Sequence, residues 1–386
     1  MKHPILDPAV VDRWSSSAAL LEIACAGAQS EAPMFDPGLL DCIQVNLAVL
    51  ADAAHGAGTH LLLGERVVFR AWPGEANLPT VDPPLDEQLR SARAIGLTVV
   101  RRQRGTGADI ADSGMVQGVR YIVADAFELP WLPYHRNAHM PHSFLLTSEA
   151  DRWYAVDAYQ NETRWGAAAP GLWELGDEEL RRISSADIFE LAPADPVPTR
   201  HEDSATPVDD YLAAYRDCPD RVRALERLTA ETWLLARSRK LHARFRQRAS
   251  GPPELAAEHL RSWDHVVEQT YLAFRRVSRG HPEPPGVLDR LAAVLADDTT
   301  VFAPPPEATR SRIAHLVGAV LGVPTSGLID GTAFDTYPTF GSFRLVEIIE
   351  SIEDEFAVEI PAELLVPEKL RTVDDLHDCV RAATPR

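Results

Sequence analysis

A chain of 386 residues that is 45% hydrophobic is long enough for two or three domains, each with its own core. Its formal charge of −19, with 38 Lys and Arg against 57 Asp and Glu, argues against a nucleic-acid partner, whose phosphates need clustered cations. The opening Met1-Lys2-His3-Pro4 stretch is charged and proline-broken where a signal peptide needs an apolar core, and no apolar run of about 18 residues follows, so a soluble, cytoplasmic protein without a membrane partner is expected.

The first predicted helix opens at Leu39-Leu40-Asp41-Cys42, with Ile43, Leu47, Leu50 and Ala54 on one face and Asp41 as its N-cap. Strand-like runs follow at Leu61 to Leu63 with Val67 to Phe69, at Leu97 to Arg101 and at Val119 to Val123. Ser143-Phe144-Leu145-Leu146-Thr147, a polar turn, and Trp153-Tyr154-Ala155-Val156-Asp157 read as a hairpin. Helix followed by antiparallel strands predicts an α+β domain over residues 1–197, closed by the proline-rich segment Ala192 to Pro207.

Residues 198–302 turn helical, with Val222, Leu225, Leu228 and Leu235 on one segment and Leu260, Trp263, Val267, Tyr271 and Phe274 on another. They either complete or flank the first domain. Basic residues crowd here, among them Arg237, Arg239, Lys240, Arg244, Arg246, Arg248, Arg275, Arg276 and Arg279. Solvated helix faces are the ordinary explanation, and a positive docking surface for an acidic partner is the functional one. Prolines at His281 to Pro285 and Pro304-Pro305-Pro306 set off a last domain, residues 306–386.

In that domain Ile313, Leu316, Val317, Val320 and Leu321 mark a helix, and turn residues lead through Asp330-Gly331 to Pro338-Thr339-Phe340-Gly341-Ser342-Phe343. An acidic helix follows, with Leu345, Ile349, Ile352 and Phe356 opposite Glu347, Glu350, Glu353, Asp354 and Glu355. Val358-Glu359-Ile360-Pro361 and a capping-box start at Thr372-Val373-Asp374-Asp375 complete the module. From Glu307 to Arg386 there are 14 acidic and 7 basic residues, net −7, a charge suited to electrostatic docking on a basic partner. Taken alone, Ser342 at a helix start is most simply a cap.

As a whole, residues 306–386 resemble an acyl or peptidyl carrier protein. The resemblance implies an all-α helix bundle, a 4'-phosphopantetheine arm on Ser342, a phosphopantetheinyl transferase that attaches it, and an acyl-loading enzyme or upstream synthase as partner. Gly341 and Phe343 stand where the family has Asp and Leu on either side of that serine.

Four cysteines, Cys25, Cys42, Cys218 and Cys379, are widely spaced, giving neither a disulfide framework nor a zinc pattern. Cys42 alone opens a predicted helix, where unpaired N–H groups favour a thiolate. His142 begins one strand of the hairpin and Asp157 ends the other, so both can meet at one end of a sheet, where an acid orients an imidazole that deprotonates a thiol. His139 is an alternative base and Asn161 an alternative orienting group. His135, His139 and His142 lack the matching Cys or carboxylate spacing of a metal site, and no metal is expected.

The order Cys42, His142, Asp157, with Gly58-Thr59-His60-Leu61-Leu62-Leu63-Gly64 and the segment Asp125 to Trp131 between, resembles the papain-like fold in its bacteriocin-leader peptidase branch. Residues of roughly 36 to 190 resemble more closely the N-terminal domain family of butirosin biosynthesis protein H, carrier-dependent acyltransferases that acylate an amine. By position this implies Cys42 as nucleophile, His142 as general base and acid, and Asp157 as orienting carboxylate. Gln29 lies farther upstream than the glutamine of papain-like enzymes, leaving the Cys42 N–H as an oxyanion donor. Together the two resemblances imply a papain-like cysteine-peptidase-type domain, a helical middle region and a carrier bundle acting as an amide-forming acyltransferase in natural-product biosynthesis, with a small-molecule amine as acceptor. A cysteine hydrolase, either peptidase or editing thioesterase, and a non-catalytic carrier scaffold are the alternatives.

Overall fold

The computed structural model describes residues 14, 16–25, 35–114, 118–197, 207–250, 254–302, 306–356, 358–366 and 370–385. A mixed α/β N-terminal region is followed by a largely helical C-terminal one, and the chain divides into two compact units, the first reaching Val301 and the second running from Phe302. No described helix is long and apolar enough to cross a membrane.

In the first unit, helices α1 (Ser17–Cys25), α2 (Gln44–His55) and α3 (Leu85–Ser91) precede the strands. Strand β1 (Leu97–Gly105), helix α4 (Gly107–Asp112), then β2 (Arg120–Asp125), β3 (Pro141–Glu149) and β4 (Arg152–Asp157) follow. Next come the short pair β5 (Asn161–Thr163) and β6 (Gly166–Ala168), strand β7 (Gly171–Leu175), helix α5 (Asp177–Arg181) and strand β8 (Ala186–Pro193). Six of these strands make one antiparallel sheet in the order β1-β8-β2-β3-β4-β7. The predicted hairpin is β3–β4, with Leu145 opposite Val156.

Helix α2 departs from the amphipathic reading. Val45 through Ala53 are all buried, because the helix packs on β1, β3 and β8 and also against α1 and the 3-10 turn Thr59–Gly64. A helix enclosed on every side is apolar all round, so its sequence shows no clean stripe. The run Leu61 to Leu63 is part of that 3-10 turn, and Val67 to Phe69 form no strand. The turn is dictated by a side chain: the Asp52 carboxylate accepts from Gly58 N at 3.0 Å, His60 N at 2.9 Å and His60 Nδ1 at 2.8 Å. Three donors on one buried acid outweigh the strand preference of a short leucine run.

The middle helices α6 (Val208–Asp217), α7 (Arg221–Ser250), α8 (Glu254–Val277) and α9 (Val287–Val301) belong to this same compact unit. Their core is built on Leu225, Leu228, Trp263, Val266, Leu291 and Leu295. Some of the basic residues of this region are bonded within the unit, although Arg248, Arg276 and Arg279 are exposed. Arg239 is 1% exposed and pairs with Asp298 at 2.7 Å, which also accepts from His259 and Trp263; Arg221 pairs with Glu283, Lys240 with Asp264, and Arg248 donates to the Gly58 carbonyl. The docking-surface reading loses the buried Arg239, which ties its helix to Asp298.

The second unit has helices α10 (Pro306–Leu321), α11 (Thr325–Ile329), α12 (Ser342–Phe356) and α13 (Val373–Ala382), with a small ladder of β9 (Val358–Glu359) and β10 (Thr384–Pro385). Ile313, Val317, Leu321, Phe334, Leu345, Ile348, Ile352 and Leu376 form its core. The predicted capping box is present: Thr372 Oγ1 accepts from Asp375 N, and the Asp375 carboxylate accepts from Thr372 N at 2.8 Å.

Candidate active site

Asp41 fixes the start of α2, and with it Cys42. Its carboxylate accepts from Ile43 N and Gln44 N, both at 2.8 Å, and its carbonyl accepts the first helical bond from Val45 N at 3.1 Å. The N-cap expected at Asp41 is therefore made by those bonds, although regular helix begins at Gln44. The cap has a chemical cost. The N–H groups that would favour a thiolate are already bonded to an anion one residue from the sulfur. Burial, then the carboxylates of Asp41, Asp82 and Asp157, push the Cys42 thiol well above its ordinary range. The helix start thus does not deliver the thiolate expected from sequence, and Cys42 rests as a neutral thiol.

Strand β3 brings His142 to the same place. Leu145 faces Val156 across the ladder; His142 lies three residues before Leu145 and Asp157 one after Val156, so both side chains emerge on the other face of the sheet. His142 Nε2 donates to Asp157 Oδ2 at 2.7 Å, with both side chains buried. Burial alone would raise the Asp157 carboxyl, but His142, the Tyr159 N–H and the Trp131 indole hold it below its ordinary value. An ionised carboxylate only accepts, so in the neutral ring Nε2 carries the proton and Nδ1 is the basic nitrogen. That Nδ1 is buried and has no hydrogen-bond partner among the described residues.

Residues on both sides of His142 hold the cysteine. The Cys42 thiol donates to the Pro141 carbonyl at 3.4 Å, while Ser143 N and Ser143 Oγ donate to the Cys42 carbonyl at 3.3 and 2.6 Å. Cys42 is thus bonded to the residues on either side of His142, and its thiol is turned to the Pro141 carbonyl. Cys42 as a residue is half-buried.

Sequence reasoning missed the residues that lock the acid. Asp157 also accepts from Trp131 Nε1 at 3.0 Å, Asn46 Nδ2 at 3.2 Å and Tyr159 N at 3.0 Å. Asn46 further donates to the Ser143 carbonyl at 2.8 Å and accepts from Ala158 N at 3.0 Å. It sits four residues after Cys42, one helical turn on, and a fully buried asparagine at that spacing was the available signal.

The alternatives fall elsewhere. His139 Nδ1 is bonded to Asp125 at 2.6 Å and stacked on Phe127 in an exposed position, and Asn161 donates to Tyr134. Neither reaches the Cys42–His142 pair. Gln29 lies outside the described residues. Among the described residues no group of three or more His, Cys, Asp or Glu side chains could hold a metal ion.

Ser342 occupies the first residue of α12, exposed, with the first helical bond running from Leu345 N to the Gly341 carbonyl at 2.9 Å. Its hydroxyl makes no hydrogen bond among the described residues, so it does not serve as the cap that its position suggested. Thr339 Oγ1 anchors the preceding loop to the Leu321 carbonyl at 2.8 Å. Phe343 beside it is 91% exposed and Val346 52% exposed. An open hydroxyl on an ordered helix start can accept a covalent group without disturbing the core.

In comparisons with known proteins, no protein-family model matches the chain and no curated protein matches it.

Proposed function

We propose that the chain is a cysteine acyltransferase fused to a carrier domain, forming an amide by moving an acyl or aminoacyl group through Cys42 to an amine. The observation that carries this reading is the buried, unpartnered Nδ1 of His142, in a ring held by Asp157 and flanked by the two residues that bond Cys42. A buried imidazole nitrogen left without a partner is costly, about 1–3 kcal/mol, and a proton-accepting role explains why it stays open. The antiparallel sheet bearing His and Asp, with the cysteine at the start of a packed helix, is similar to the papain-like arrangement.

The thiol is raised in the resting state, so deprotonation must accompany attack. A rotation of the Cys42 side chain away from the Pro141 carbonyl toward Nδ1 gives His142 the thiol proton. Sγ then bonds the acyl carbon of a thioester substrate, and the departing thiolate takes that proton back from His142. An amine attacks the acyl-cysteine, His142 accepts the amine proton and passes it to the departing Cys42 thiolate, which restores the thiol as the amide forms. Asp157 steadies the imidazolium at each stage. Thioester and acyl-cysteine are close in energy, so no ATP is consumed.

The second unit fits a 4'-phosphopantetheine carrier: Ser342 would hold the group through its free hydroxyl, and Gly341 has open space around it. When bound, that group supplies a thiol on a long arm, on which cargo travels as a thioester. The expected partners are then a phosphopantetheinyl transferase, an acyl-loading enzyme or upstream synthase, and a small-molecule amine.

Intact-mass analysis after treatment with a phosphopantetheinyl transferase and an acyl thioester tests both halves. Expected are one mass increment on Ser342 and an acyl increment on Cys42 that an added amine discharges. Discharge by water at the same rate without amine would make the protein a hydrolase, and absence of any Cys42 adduct would leave only the carrier.

A further inference from the structure

The residue that joins the two halves of the site comes from the middle helical region. Arg237, on α7, donates through Nη1 to the carbonyls of Pro37, at 3.3 Å, and Leu40, and through Nη2 to the Gln160 carbonyl at 2.9 Å. Leu40 lies two residues before Cys42 and Gln160 three residues after Asp157. Its guanidinium carbon lies 3.9 Å from the centroid of the Trp233 ring, which fixes the fork from behind. Tyr159, between Gln160 and Ala158, meets the His142 ring edge-on at 5.1 Å. One side chain therefore spans the loop leading into the nucleophile and the loop leaving the orienting acid.

We propose that Arg237 is a positioning residue of this site, clamping the Cys42 and Asp157 loops together and placing a permanent positive charge two residues from the nucleophile. The inference rests on the reading of Cys42 and His142 as a reactive pair, and not on which acceptor takes the acyl group. The charges around the sulfur make the role specific. Asp41, Asp82 and Asp157 all disfavour the thiolate, and the hydroxyls of Tyr121 and Tyr159 lie nearby in neutral form. Arg237 is in electrostatic contact with Cys42, Asp41, Asp36 and Tyr159. Because His142 is held by Asp157, this guanidinium is a permanent cation set against Asp41, while Arg227 is the one set against Asp82, beside Glu231. Its fork meets three carbonyls at once, which a lysine ammonium on a flexible stem cannot reproduce. The middle region is thereby part of the reactive site, although its sequence carries none of the reacting groups.

The test follows alkylation of Cys42 by iodoacetamide from pH 5 to 10 in the full chain, read by peptide mass spectrometry, for wild type, Arg237→Gln and Arg237→Lys. Losing the charge should slow alkylation near pH 7 by about tenfold, a change expected for one nearby charge at intermediate dielectric. The rise with pH should move to higher pH by the same factor. Arg237→Lys should keep the wild-type pH profile, while hydrogen exchange at residues 36–43 and 158–161 speeds up because the fork is gone. A folded Arg237→Gln protein with the wild-type pH profile overturns the electrostatic role. If that variant does not fold, Arg237→Lys decides: wild-type exchange in both loops overturns the clamp. Alkylation that depends on Arg237, in a protein that forms no acyl adduct, would leave this inference standing and remove the proposed chemistry.

Discussion

Cys42 and Ser342 each stand at the start of a helix, yet the two positions are opposite in character. Cys42 is half-buried, bonded through both its carbonyl and its sulfur, and faced by three carboxylates. Ser342 is exposed, its hydroxyl unengaged among the described residues, beside an almost fully exposed phenylalanine. The difference teaches which group depends on its own protein. On the proposed reading, a thiol in that setting reacts with its acyl substrate once this chain's own base takes its proton, so its neighbours must be placed closely. A hydroxyl on an open helix start, on the same proposed reading, needs only reach and approach, which a modifying enzyme would supply.

The sharpest way to break the comparison is at the acid. Asp157→Asn keeps the shape but leaves His142 facing an amide that can hold the wrong tautomer, and transfer from Cys42 should fall by about 10³-fold or more. Modification of Ser342, measured on the same sample by mass, should be unchanged. Equal loss at both positions would show that the substitution acts on the whole chain.

Next in size is a change of stability confined to one unit. Arg239→Leu strands the buried Asp298 carboxylate beside His259 and Trp263 and should destabilise the first unit by about 3–5 kcal/mol. Two-step denaturation, with the helical second unit melting as in wild type, is the expected trace. A smaller effect should be visible in pH. Since the Cys42 pKa lies above the ordinary thiol value, the thiolate fraction, and with it alkylation, should keep climbing about tenfold per pH unit beyond the point where a free cysteine levels off. A plateau near neutral pH would contradict the carboxylate-lined site. For folding, the sign is opposite at Asp157: its carboxyl is depressed, so its stabilisation is complete above the ordinary carboxylate range and is lost as acid protonates it.

The smallest effects belong to the second unit. A Cβ added at Gly341 meets nothing within 4 Å, so Gly341→Asp should fold normally and speed attachment at Ser342 severalfold by restoring the acidic residue usual in carriers. Phe343→Ser, at an exposed position, should change stability by no more than about 0.5 kcal/mol, checked by thermal melting. Unchanged attachment in Gly341→Asp would show that the flanking acid does not matter here.

Much of this architecture was legible because it is local. The β3–β4 hairpin follows from a period of two, and the cap at Thr372 from a spacing of three. The helix after Ser342 was also recoverable, although Ile348 is buried more deeply than the expected Ile349. Readings failed where burial or a distant partner overrides local pattern. Helix α2 shows no stripe because it is enclosed, and Leu61 to Leu63 turn because Asp52 commands their backbone. The basic residues of the middle region looked like a surface until Arg239 and Arg237 were found bonded inward.

The sequence by itself determined the β3–β4 hairpin and the helices at Gln44–His55 and Ser342–Phe356, and supplied Cys42, His142, Asp157 and Ser342 as candidates, since those choices rest on neighbours within a turn or a ladder step. Only the tertiary structure decided that burial and the surrounding Asp41, Asp82 and Asp157 raise the thiol, that Asn46 holds an acid 111 residues away, and that Arg237 reaches a carbonyl 197 residues back in the chain. Charge and hydrogen-bond partnership act over a few ångströms in space whatever the separation along the chain, and no periodicity in the residues records them.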